Sequence, residues 1–179
     1  LTHSHSTANV TAGPNSGAGG LVGEVYLSGV GVSTTIEKSY STGNVNVSSG
    51  VDGAGGLVAN VDMDSATAVL DVNDCYSTGA VTASPSGFIG GLFGNLYDSN
   101  PGFCTINLTR SYTTSILSWG SGSGAGLTGG AENCTFNPTD SYWLQDTGLN
   151  SGVSTDGNAR DVHDLTNLTG QGTSTYSGW

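Results

Sequence analysis

Gly55-Gly56-Leu57-Val58-Ala59 and Cys75-Tyr76-Ser77-Thr78-Gly79 are one showing of a pair of anchors that recurs through the chain. The first anchor also stands as Gly19-Gly20-Leu21-Val22-Gly23, as Gly90-Gly91-Leu92-Phe93-Gly94, and more loosely as Ala125-Gly126-Leu127-Thr128-Gly129. The second stands as Ser39-Tyr40-Ser41-Thr42-Gly43, Ser111-Tyr112-Thr113-Thr114-Ser115 and Ser141-Tyr142. The leucines are spaced by 36, 35 and 35 residues, and the tyrosines by 36, 36 and 30. A fixed period of this size signals a solenoid, whose units cannot bury their apolar faces until a neighbour stacks on them.

Local pattern says which kind of solenoid. Val45 and Val47 alternate with Asn44 and Asn46, as in a half-buried strand, and Leu57, Val58 and Val61 form a short apolar run opened by glycines. Gly, Ser, Thr, Asn, Asp and Val dominate, which disfavours helix. The expectation is an all-β chain: a right-handed parallel β-helix with about 35 residues and three short strands per coil. Like residues should stack on like, about 4.8 Å apart. Residues 1–149 carry the repeats, the first incomplete, and residues 150–179 form an irregular polar tail that caps the last coil. Within that tail, Asp156-Gly157-Asn158 reads as a turn and residues 159–165 as one short helix.

The cysteines test the register. Cys104 and Cys134 each lie eight residues before a ladder tyrosine, Tyr112 and Tyr142. One coil per repeat puts their Cα atoms within the roughly 4.4–6.8 Å that a disulfide needs. Two half-sized coils per repeat would separate them by about 9.6 Å. A Cys104–Cys134 bridge is therefore expected, in keeping with an oxidising compartment. Cys75 takes the place of Ser39 and Ser111 and reads as a small buried free thiol.

Charge excludes some partners. The formal net charge is −11, from 14 acidic residues against 3 basic ones. Nucleic-acid backbones and anionic membrane surfaces both need a Lys/Arg footprint, so neither is an expected partner. No apolar run approaches the length of a membrane span. The chain opens at Leu1 inside a repeat, with His5-Ser6-Thr7 aligned to Tyr40-Ser41-Thr42, and is read as a processed or excised piece of a longer exported precursor.

The two anchors resemble the GLUG motif, a short repeat with a Gly-Gly-Leu-Val-Gly core and a following Cys/Ser-Tyr-x-Thr-Gly-x-Val segment. Residues 55–81 and 19–45 match best, and the resemblance covers residues 5–143. Unit three departs from the pattern at Ser115, and unit four at Ala125 and Thr128, so irregular coils are expected there. The stretch from Ser141-Tyr142-Trp143 to Gly178-Trp179 also looks like the segment that follows the last such repeat, and in the family that segment runs further. The resemblance implies an exported microbial surface protein, such as an adhesin or the non-catalytic region of a secreted peptidase. It implies no common catalytic residues.

Chemistry candidates are few. Asp62, Asp64, Asp71 and Asp74 cluster in the long connection of the second unit and could supply oxygen ligands to Ca²⁺. A solvated acidic loop is the simpler reading, and no other cofactor is expected. Asn9, Asn46, Asn107, Asn133 and Asn167 stand in Asn-X-Ser/Thr sequons, which mark glycosylation sites on an exported chain and also arise by chance in so polar a composition. No motif joins His3, His5 or His163 to a nucleophile, and nothing places two of Lys38, Arg110 and Arg160 together, so enzyme activity is not expected. The tyrosine ladder reads as core or corner packing; facing solvent, it could bind sugars or partner chains. The rank Thr7, Thr42, Thr78 and Thr114 invites an ice-binding reading, but only one rank is regular.

The sequence thus points to a non-catalytic extracellular module of a cell-surface adhesin or structural surface protein. Its variable segments 27–36, 61–74 and 97–105 would present contacts to other copies, other surface proteins or glycans. The runner-up is a filament subunit that pairs end to end by strand addition. Ice binding and polysaccharide binding stand behind both.

Overall fold

The structure is a computed structural model that describes residues 1–48, 53–64, 67–83, 87–98, 104–143 and 162–164. These residues build a parallel β-solenoid with one coil per repeat. The first coil runs through β1 (His5–Ser6), β2 (Val10–Ala12), β3 (Ala18–Gly19), β4 (Val22–Ser28) and β5 (Ser33–Glu37). The second contains β6 (Tyr40–Ser41), β7 (Val45–Val47), β8 (Ala54–Gly55), β9 (Val58–Asp64) and β10 (Val69–Asn73). The third contains β11 (Tyr76–Ser77), β12 (Val81–Ala83), β13 (Phe88–Gly90), β14 (Phe93–Asp98) and β15 (Cys104–Thr109). The fourth contains β16 (Tyr112–Thr113), β17 (Leu117–Trp119), β18 (Ser123–Ala125), β19 (Thr128–Glu132) and β20 (Cys134–Thr139). β21 (Ser141–Trp143) and β22 (Val162–Asp164) extend the stack.

Each coil therefore has five strands, not the three expected. The extra pair comes from two- and three-residue strands at the glycine corners, too short to show alternation. Residues 61–74 are mostly β9 and β10 rather than a long connection, and residues 162–164 pair as a strand with β21 where a helix was expected. The five sheets are β1-β6-β11-β16-β21-β22, β2-β7-β12-β17, β3-β8-β13-β18, β4-β9-β14-β19 and β5-β10-β15-β20. Registers carry like onto like: Val10, Val45, Val81 and Leu117 form one column, and Thr34, Leu70, Ile106 and Phe136 another.

The interior is divided in two. Leu57, Leu92, Leu127, Val58, Phe93, Ile106 and Phe136 fill the larger compartment between the β4 and β5 sheets. Val45, Val47, Val81, Ile89 and Leu117 fill the smaller one. The second glycine of each Gly-Gly pair makes the waist between them. A Cβ on Gly56 would fall 2.1 Å from Gly91 O and 2.7 Å from Ser77 Oγ, and one on Gly91 would fall 2.3 Å from Gly126 O. Opposite that waist the inward Ser77 Oγ bonds Gly91 O and lies 2.9 Å from Thr113 Oγ1. This close approach is why the first anchor needs glycine and the second a small hydroxyl residue.

The corner before β1, β6, β11, β16 and β21 has a left-handed backbone at five successive levels, at His3, Lys38, Asp74, Arg110 and Asp140. The buried serine that follows satisfies its own hydroxyl and a neighbour's amide. Ser111 Oγ donates to Thr109 O at 3.0 Å and accepts from Cys75 N at 3.1 Å. Cys75 is buried and free, as its serine-like place predicts, and its Sγ lies 3.2 Å from Asn73 O. Burial, the leading cause, pushes its thiol pKa up to about 11. Cys104 and Cys134 are directly opposed on β15 and β20, with Cα atoms 4.8 Å apart, and are bridged. That pairing settles one coil per repeat.

Candidate functional site

With the interior filled by side chains, function has to be sought on the outer rows. Tyr40, Tyr76, Tyr112 and Tyr142 pair in register on the β6 sheet. Their side chains face outward and are half-buried beside a corner, so of the two expected settings, core or corner, they take the corner. Ser41, Ser77 and Thr113, the next residues along, take the inward positions. His5 stacks on Tyr40 at 5.1 Å, Tyr40 on Tyr76 at 4.6 Å, and Tyr76 on Tyr112 at 5.1 Å. The rings of Tyr40 and Tyr76 are thus stacked on both faces, and their edges are what reach solvent. Burial, then the neighbouring Tyr40, raises the Tyr76 hydroxyl pKa.

The left-handed corner beside it carries charges of alternating sign: Lys38, Asp74, Arg110 and Asp140. Lys38 and Arg110 are thus brought into one column, on either side of Asp74, which sequence reasoning did not foresee. Arg110 Nε donates to Asp74 Oδ1 at 2.6 Å and Nη2 to Oδ2 at 2.9 Å. These bonds from Arg110 hold the Asp74 carboxyl below its ordinary pKa. The four aspartates of the calcium reading lie on strands and a corner, not in one loop. Asp71 accepts from Asn107 Nδ2 at 2.8 Å, and Asp74 is held by Arg110. Asp62 and Asp64 remain together on β9. Among the described residues, no group of three His, Cys, Asp or Glu side chains is placed to hold a metal ion.

The sequons divide by environment. Asn46 is exposed, while Asn9 Oδ1 accepts from Asn44 N at 2.9 Å. Asn107 is held in a side-chain ladder, donating to Asp71 and accepting from Asn137 Nδ2 at 3.2 Å. Asn133 sits at a left-handed turn and donates to Asp98 O at 3.1 Å. Asn167, Arg160 and Asp156-Gly157-Asn158 lie outside the described residues. Thr7, Thr42 and Thr78 are exposed, and the rank beside them is Asn9, Asn44, Ala80 and Ile116 rather than threonine.

One concave feature stands out on the β9 sheet. A groove of about 290 Å³ is lined by Glu24, Asn60, Asp62, Phe88, Asn95 and Tyr97. Its rows follow from the register: Glu24, Asn60, Asn95 and Gly130 in one, and Tyr26, Asp62, Tyr97 and Glu132 in the next. Gly17 and Gly53 leave the room that Asn60 occupies; a Cβ on Gly53 would fall 2.2 Å from Asn60 Oδ1. Phe88 stands one residue before the Ile89–Ala54 pair, on the level of Gly53, and closes the groove where those glycines end. Asn60 Oδ1 and Asn95 Oδ1 are withdrawn from solvent without a hydrogen-bond partner. Burial, then the Asp64 and Asp98 carboxylates, raises the Asp62 pKa. Sequence reasoning singled out Asp62 but not its companions; the signal was the shared offset of Tyr26 and Tyr97 from their Gly-Gly pairs.

Comparison with protein-family models, curated proteins and solved structures found no match to this chain.

Proposed function

We propose that this chain is a non-catalytic module of an extracellular adhesin or structural surface protein, a stiff stalk that holds contact surfaces away from a cell. The observation that carries the reading is the covalent tie between coils, Cys104–Cys134, in a solenoid whose interior is packed throughout with side chains. A buried inter-coil disulfide fits an oxidising exterior and not a reducing cytosol. The resemblance to the GLUG repeat agrees with it. Immunogold labelling of intact source cells tests the reading. Label at the outer surface is the expected result, and label confined to the cytoplasm overturns it.

A second reading is a filament subunit that pairs end to end by strand addition. Among the described residues, β2, β3, β4 and β5 are the outermost strands of their sheets on one side, and β17, β18, β19 and β20 on the other. Parallel strand margins of this kind are templates for one another. Electron microscopy of native material distinguishes the two: filaments with a subunit repeat support assembly, and isolated short rods support the stalk.

A further inference from the structure

We propose that the groove across β4, β9 and β14 is a saccharide site that takes an uncharged pyranoside of one or two rings. The proposal rests on the adhesive reading for its biological setting, and it names what such a module would hold. Its argument is independent of location and comes from the lining.

Two carboxylates, Glu24 and Asp62, line the groove and only accept hydrogen bonds, so a ligand rich in O–H groups complements them. Asn60 and Asn95 line it between them, with their Oδ1 atoms turned away from solvent. The walls add apolar surface. Tyr97 lines the groove and is 39% exposed. Phe88 supplies a second ring, lying over Gly130, where a Cβ would meet its Cδ1 at 2.5 Å. A pyranose has both complementary parts, hydroxyls at its rim and a C–H face that packs on an aromatic ring.

Charge and size narrow the class. No Lys or Arg is among the lining residues, so uronic, sialic and phosphorylated sugars would meet the Glu24 and Asp62 carboxylates with no cation to offset them. The lining comes from three successive coils, a span of about 9.6 Å along the solenoid. That length and the volume of about 290 Å³ suit a disaccharide. In the bound state the sugar hydroxyls donate to Glu24 and Asp62, and Tyr97 and Phe88 receive the ring faces.

The test is a heteronuclear NMR titration of the full chain with cellobiose, mannobiose, lactose and diacetylchitobiose. Glucosamine serves as a cationic probe and sialyllactose as an anionic one. The expected result is saturable shifts from at least one neutral disaccharide, centred on the side-chain amides of Asn60 and Asn95. Tyr97→Ala and Asp62→Asn should each weaken that binding about tenfold. Tyr76→Ala, on the stacked ladder, should leave it unchanged. Absence of saturable shifts from every neutral sugar overturns the proposal, as do shifts located elsewhere, response to glucosamine alone, or full affinity in folded Tyr97→Ala and Asp62→Asn. The wild-type shift map stands even where a variant fails to fold. A silent groove in a surface-labelled protein removes the site and keeps the adhesive reading. Binding by a chain found only inside cells does the reverse.

Discussion

Replacing Cys104 and Cys134 by alanine removes a cross-link between residues 30 apart in sequence. Closing a loop of that length lowers the entropy of the unfolded chain enough to stabilise the fold by about 3.5 kcal/mol at 25 °C. The native register does not depend on the bond, because β15 and β20 are also joined along the whole pairing from Cys104–Cys134 to Thr109–Thr139. The double variant should therefore fold and lose stability mainly in the fourth coil. Solenoid coils need not unfold as one unit, so a single global midpoint would blur the effect. Hydrogen exchange of the β15, β20 and β21 amides, set beside urea unfolding, reads it locally. Protection there should fall by about 3.5 kcal/mol while β2 and β7 change little. A loss below about 1 kcal/mol in that coil would refute the loop-closure reasoning. Three titrating thiols in denatured, unreduced protein would refute the bridge itself.

Gly56→Ala sets a methyl group 2.1 Å from Gly91 O at the waist of the solenoid, and overpacking of this kind costs about 1–3 kcal/mol. Gly13→Ala, where a Cβ meets nothing within 4 Å, is the matched control in thermal unfolding. Asp74 has a depressed pKa in the folded state, so its contribution is present above its unfolded pKa and is lost as pH falls through the folded one. Arg110→Ala should accordingly lower stability near neutral pH, with the difference from wild type shrinking from about pH 4 downward and lost only as pH falls through the depressed folded pKa of Asp74. Cys75, buried with its thiol pKa pushed up to about 11, should resist iodoacetamide in the native protein and react on unfolding.

The period, the stacking register and the Cys104–Cys134 pair were legible because each depends only on spacing, and a solenoid converts spacing directly into neighbours. The number of strands was not, because Ala18–Gly19, Ala54–Gly55 and Tyr40–Ser41 are two residues long and carry no alternation to read. The tyrosine setting is ambiguous in the sequence for a related reason. Beside small residues tyrosine fits core or corner alike, and the waist formed by Gly56 and Gly91, with space inward only for Ser77 and Thr113, decides for the corner. Asp62 and Asp64 looked like loop residues because acidic alternation with Val61 and Met63 resembles a polar connection. In β9 it places the apolar pair inside and the carboxylates outside. The groove needed the third dimension, since Glu24, Asn60, Phe88 and Tyr97 come from three coils and two sheets.

The number of residues between the fourth and fifth strands of a coil varies while the strands on either side stay in step. Four residues separate Ser28 from Ser33 and Asp64 from Val69, five separate Asp98 from Cys104, and Asn133 alone separates β19 from β20. The solenoid thus tolerates insertion and deletion there without a shift in pairing. Lengthening a loop is also cheap, about 0.6 kcal/mol for each doubling. In the third coil the fifth strand opens at Cys104, so any segment added before it would be anchored at its base by a covalent cross-brace. This gives the molecule a display position: a foreign peptide grafted between Asp98 and Cys104 would be carried on a braced edge without disturbing the coils beneath it.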